Sequence, residues 1–164
     1  MTPVVIPPDA ARRLFLGAQG LLGTPPKADP STVLAMVQKV GFVQLDAIQV
    51  AGRAHDLTLR TRLEGYEPNH LEALLEEDRT LFEGWTHDAS AIPTQWHAHW
   101  KPRYRRDGPR IEASAWWRNL LGDDHERVCK HVLARIRKEG PLGSADFEHP
   151  EKRGPWWGWK PQKA

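Results

Sequence analysis

Polar residues break an apolar run at a spacing that suggests chemistry in Val43-Gln44-Leu45-Asp46. On an extended chain alternate side chains share a face. Gln44 and Asp46 then project together while Val43 and Leu45 anchor the strand in a core. A carboxylate beside an amide on a rigid element can polarise a water and stabilise a developing cation. An edge strand with a polar outer face has the same pattern, so spacing alone leaves both readings open. His97 and His99 follow His87 closely in sequence, but no second ligand set has zinc-like spacing. Neither a metal nor a cofactor is expected. Cys129, the single cysteine, has no internal disulfide partner, which suits a reducing cytosol; in mid-helix it reads as a small core residue.

The elements that must hold this pair are legible around it. Pro8 suits a first helical position and Asp9 a first turn, predicting a helix from Pro8 to Leu22 with Leu14, Leu16, Ala18, Leu21 and Leu22 on its apolar side. Asp29-Pro30 is an N-cap followed by proline at the first helical position, and the helix it opens ends at Gly41. Phe42 to Asp46 reads as a short strand, Arg53 to Leu63 as a moderately helical stretch, and Pro68 to Asp78 as a clearer helix with Leu71, Leu74 and Leu75 inward. Thr80 to Trp85 reads as a strand. Pro93 to about Arg106 reads as an aromatic, basic helix interrupted near Pro102. Asp123 or Asp124 caps a further helix running to Gly140, and Ser144 caps a one-turn helix ending near Phe147. A third helix starting near Pro155 would complete a helix-turn-helix core, and the chain stops nine residues later. The expectation is an α-rich α+β chain with a first module over 1–122 and a second, cut short, over 123–164.

Composition bounds the function. Apolar residues make up 40% and charged residues 27% of 164, values of a folded globular chain. No apolar run approaches a membrane span, and the opening segment is too short and proline-rich for a secretory signal. A cytoplasmic, membrane-free protein is expected. Of 23 Lys+Arg and 21 Asp+Glu, residues 1–78 hold 7 and 10, and residues 79–164 hold 16 and 11. The basic excess at Lys101, Arg103, Arg105, Arg106 and Arg110, and again at Arg135, Arg137 and Lys138, suits a polyanionic partner or solvated helix faces. Eight tryptophans are many for this length; Trp116-Trp117 and Trp156, Trp157 and Trp159 cluster, and such residues usually fill cores.

The run VGFVQLDAIQVAGRAHDLTLRTRL, with LEALLEEDRTLFEGWTHDASAIP, the opening ARRLFLGAQGLLG and the closing GPWWGWKPQKA, resembles the winged-helix crosslink-repair DNA glycosylases of the YcaQ/AlkZ type. The resemblance implies tandem winged-helix modules, the second incomplete here. It also implies hydrolysis of the N-glycosidic bond of alkylated purines in double-stranded DNA, with crosslink unhooking in some members. That family's signature is glutamine, an aliphatic residue, then aspartate or glutamine, here Gln44-Leu45-Asp46. Asp46 would stabilise the sugar oxocarbenium and activate water, and Gln44 would hold that water. Arg53 and His55, in Arg53-Ala54-His55-Asp56, and His87, in Trp85-Thr86-His87-Asp88, fall in family-like motifs. They are candidates to line the cleft or contact phosphate, and each histidine equally suits a structural role. Arg103, Arg105 and Arg106 are phosphate candidates, as are Arg153, Lys160 and Lys163 around the unfinished helix. A winged-helix DNA-binding protein without catalysis, or an inactive truncated relative, is the alternative.

Overall fold

The computed structural model describes residues 4–121, 125–143 and 146–147. The chain forms two compact units, one up to Lys101 and one from Pro102 onward.

In the first unit, α1 (Pro8–Ala18) starts on its proline but buries no residue. It is shorter than its apolar pattern predicts. Leu14 and Phe15 on that helix are exposed, because an amphipathic period reports a face available for packing, not that something packs there. Helix α2 (Pro30–Val40) is firmly delimited. Asp29 Oδ1 accepts from the Thr32 amide at 2.8 Å and Thr32 Oγ1 accepts from the Asp29 amide at 2.9 Å, a reciprocal capping box. Ser31 and Thr32 hold the Asp29 carboxyl below its ordinary value. Gly41 ends the helix at φ 98°, where a side chain would be strained. Val33, Met36 and Val37, spaced for one helical face, are its buried side.

Strand β1 (Val43–Gln44), helices α3 (Ala54–Arg60) and α4 (Pro68–Glu76), and the hairpin of β2 (Leu81–Trp85) and β3 (Ala89–Pro93) follow. The antiparallel sheet has the order β1-β3-β2, in the register Val43↔Ala91 and Leu81↔Pro93. Gly84 gives the hairpin room: a Cβ there would meet Ile92 Cδ1 and Phe82 Cε2 at 2.9 Å each, so these side chains would have to shift. Val33, Val37, Val43, Leu59, Leu63, Leu71, Leu74 and Leu81 form one core beneath the sheet. The order helix, strand, helix, helix, hairpin, with the first strand beside the last, is consistent with a winged helix over 30–93, α4 taking the place of its third helix. The α-rich α+β class read from the sequence stands.

Strand β3 has no counterpart among the expected elements. Ala89-Ser90-Ala91-Ile92-Pro93 has weak intrinsic strand preference, and its place between β1 and β2, with Ser90 to Pro93 buried, is what makes it a strand.

Helix α5 (His97–Ala113), entered through a 3₁₀ turn at Thr94–Trp96, starts in the first unit and continues into the second. It passes through Pro102 and Pro109 instead of stopping at the first, each proline removing one intrahelical hydrogen bond. Helix α6 (Ala115–Leu121) is a further element that the sequence pattern does not predict, and α7 (His125–Glu139) matches expectation apart from its cap, which lies outside the described residues. Cys129 is exposed on α7, correcting its reading as a core residue; its mid-helix position did not say which face it occupied. The helix expected near Pro155, with Trp156, Trp157 and Trp159, lies outside the described residues.

Candidate active site

The Gln44-Leu45-Asp46 segment is pinned where β1 leaves the sheet. Val43 is buried, Gln44 is half-buried, and Gln44 pairs with Ser90 of β3. The Leu45 amide continues the ladder by donating to the Ala89 carbonyl at 2.8 Å. Asp46 lies beyond the strand, and two other contacts fix it in place of strand alternation. Its amide donates to His55 Nδ1 at 3.1 Å, and its Oδ1 accepts from the Ile48 amide at 2.8 Å. Its second carboxylate oxygen has no protein hydrogen bond among the described residues.

Gln44 is gripped at both ends of its amide by the turn between β2 and β3. Gln44 Nε2 donates to Asp88 Oδ2 at 3.4 Å, and Gln44 Oε1 lies 3.1 Å from His87 Nε2. A carboxylate only accepts, so Asp88 dictates which end of the amide faces it. The Gln44 oxygen then faces His87, whose Nε2 must carry the proton. His87 Nδ1 is 3.3 Å from Thr86 Oγ1, and the ring of Phe42 stands edge-on at 6.0 Å. The turn is itself knotted: the Thr86 amide donates to the Asp88 carbonyl at 3.0 Å, Asp88 Oδ1 accepts from the Ala89 amide at 2.8 Å, and Thr86 Oγ1 is 2.9 Å from the buried Ser90 Oγ. Among the described residues each end of the amide has one partner, leaving a second hydrogen-bonding position for a water.

His55 sits under Asp46 in α3 and is buried. Because its Nδ1 accepts the Asp46 amide, its proton resides on Nε2, which faces the buried Asp56 carboxylate at 3.9 Å. Tyr66 donates its hydroxyl to Asp56 Oδ1 at 2.9 Å. Burial first, and then this bond, pushes the Tyr66 phenol far above its ordinary ionisation range. The sequence motifs that flagged His55 and His87 contain Asp56 and Asp88 as neighbours; Tyr66 had no signal, since a tyrosine ten residues from its partner reads as core.

Arg53 is exposed at the residue preceding α3. Arg103, Arg105 and Arg106 belong to α5 in the second unit. Asp107 draws two of them together: Arg106 forks onto its carboxylate at 2.8 and 3.2 Å, and Arg103 approaches at 3.4 Å. Arg110 adds a contact at 3.9 Å. The Arg106 hydrogen bond holds the Asp107 carboxyl below its ordinary value. Arg105 is exposed. Arg153, Lys160 and Lys163 lie outside the described residues. Among the described residues no three His, Cys, Asp or Glu side chains are grouped to hold a metal ion, and no helix is long and apolar enough to cross a membrane.

A helical module holding a clamped amide and a part-free carboxylate at the end of one strand defines a class of protein with a small polar site at a sheet edge. The sequence profile of the AlkZ-like DNA glycosylases matches residues 37–164, and the chain belongs to that family. The match covers every residue of the site just described. No solved structure matches the chain.

Proposed function

We propose that the protein is a monofunctional DNA glycosylase that hydrolyses the N-glycosidic bond of N7-alkylated purines in double-stranded DNA, interstrand crosslinks included. The observation that carries this is the state of Asp46: one carboxylate oxygen is held by the Ile48 amide and the other has no protein donor among the described residues, beside a glutamine whose amide is oriented at both ends. A purine alkylated at N7 is already cationic, so its departure needs no general acid. The C1′–N9 bond breaks and its electron pair leaves with the base, neutralising it. Asp46 stabilises the resulting oxocarbenium. Water held by Gln44 then adds to C1′ and gives its proton to Asp46.

Family membership supports a DNA substrate. The exposed face of α4 argues against a groove-reading role for that helix. Glu72 and Glu76 on that helix, with Glu77 and Asp78 after it, are acidic and largely solvent-facing, which opposes laying this helix against phosphates. The signature Gln44-Leu45-Asp46 itself contains no lysine, so no Schiff-base nucleophile is built into it and no strand cleavage is expected. Arg53, Arg103, Arg105 and Arg106 are assigned to phosphate contacts, with Arg153, Lys160 and Lys163 as further candidates.

The test is single-turnover release of N7-methylguanine from a duplex. Wild type should leave an abasic site in an unbroken strand. Asp46→Asn, which keeps size and removes charge, should be slower by roughly a hundredfold, about 3 kcal/mol of transition-state stabilisation, while folding normally. Full activity in folded Asp46→Asn would overturn the mechanism.

A further inference from the structure

Beyond Asp46 the chain leaves the sheet and reaches α3 through a loop over 47–53 in which no residue is buried. Two aliphatic side chains stand in it, Ile48 at 61% exposure and Val50 at 93%. Single exposed aliphatic residues are ordinary on protein surfaces, but these two are tied to the site. The Ile48 amide is the donor that holds Asp46 Oδ1 at 2.8 Å. From Asp46 to Ile48 the chain spans at most about 7 Å and to Val50 at most about 14 Å, roughly two and four base-pair rises along a duplex. A nucleotide whose sugar is presented to Asp46 therefore brings its neighbours against this loop.

The loop's composition says which part of the nucleic acid it meets. Ala47-Ile48-Gln49-Val50-Ala51-Gly52 carries no charge, and the nearest cation is Arg53 at its far end. It offers a phosphate no charge, only the Gln49 amide and main-chain N–H groups. Aliphatic side chains of this size instead suit the faces of bases, where a wedge between steps unstacks them. A glycosidic bond buried in a stacked duplex must be exposed before water reaches C1′.

We propose that loop 47–52 is a DNA wedge, Ile48 and Val50 entering the base stack beside the lesion and Arg53 contacting the flanking phosphate. This rests on the glycosylase reading above. The Ile48 amide already holds the Asp46 carboxylate at 2.8 Å, so the wedge is anchored directly beside the catalytic oxygen.

The experiment uses a duplex with 2-aminopurine next to N7-methylguanine, titrated with wild type and with the Ile48→Ser/Val50→Ser variant. Both positions are exposed, so unchanged circular dichroism and Tm are expected. Wild type should raise the 2-aminopurine fluorescence severalfold on binding, and the variant should not. Excision from the fully paired duplex should slow in the variant by about ten- to a hundredfold, the worth of one or two aliphatic side chains withdrawn from water. With an abasic gap opposite the lesion, where unstacking is cheap, the deficit should largely vanish. Base release by wild type without a fluorescence rise, an equal rise in the variant, or no binding at all overturns the wedge. A rise that depends on Ile48 and Val50 without base release supports the wedge and overturns the glycosylase reading.

Discussion

Tyr66→Phe removes one atom, the hydroxyl that donates to Asp56 Oδ1 over 2.9 Å. Both side chains are buried. The carboxylate's other polar neighbour, His55 Nε2, is 3.9 Å from Oδ2, beyond hydrogen-bond reach. The variant thus leaves a buried carboxylate without its donor. Hydrogen bonds to charged groups contribute about 1.5–3 kcal/mol, so urea denaturation should show a loss of about 2 kcal/mol and Tm should fall by roughly 4–8 °C for a chain of this length. Asp56→Asn combined with Tyr66→Phe should cost less than the two losses added, because the unpaired charge is then gone. The dependence on pH supplies a second check. Burial and Asp56 raise the phenol's ionisation above its unfolded value, so the folded chain keeps this proton while the unfolded chain releases it near pH 10. The associated stability is complete below about pH 10 and declines above it, by about 1.4 kcal/mol per pH unit. Phenylalanine has no proton to lose. The stability gap between wild type and Tyr66→Phe should therefore be flat below about pH 9.5 and shrink above it. A loss under about 0.5 kcal/mol at neutral pH, or a gap that widens with alkali, would refute the proposed network.

The clamp on Gln44 and the arginine cluster make two further expectations. Asp88→Asn can present either a donor or an acceptor to Gln44 Nε2, so the amide loses its fixed orientation; excision should fall by about five- to tenfold, roughly 1 kcal/mol, with little change in duplex affinity, and an unchanged rate would remove Asp88 from the site. Asp107→Asn releases Arg103, Arg106 and Arg110 from a shared carboxylate; if these arginines meet phosphate, duplex affinity should rise and its log–log salt slope should steepen by about 0.9 for each additional phosphate neutralised, whereas an unchanged slope would place the phosphate surface elsewhere.

Local chemistry settled much of this protein in advance. Asp29-Pro30 and Gly41 delimit α2 because capping bonds and a positive φ act within a few residues. Pro68 opens α4, and Leu71 and Leu74 face the core because helical period alone puts them on one side. Gln44 and Asp46 stood out for their types in an apolar run, and the family likeness of that segment agrees with the profile match over 37–164. What lay beyond the sequence were relations between distant residues. Strand alternation gave Gln44 and Asp46 a common face, yet β1 ends at Gln44, and His55 and Ile48 orient Asp46 instead. Asp88 reaches Gln44 across 44 positions only because β3 lies between β1 and β2 and brings the hairpin turn to the end of the signature strand. Whether an apolar stripe is covered is likewise a tertiary matter: α1 and α2 both have one, and only that of α2 is buried. Periodicity reports which side chains share a face; what meets that face depends on how the rest of the chain closes around it.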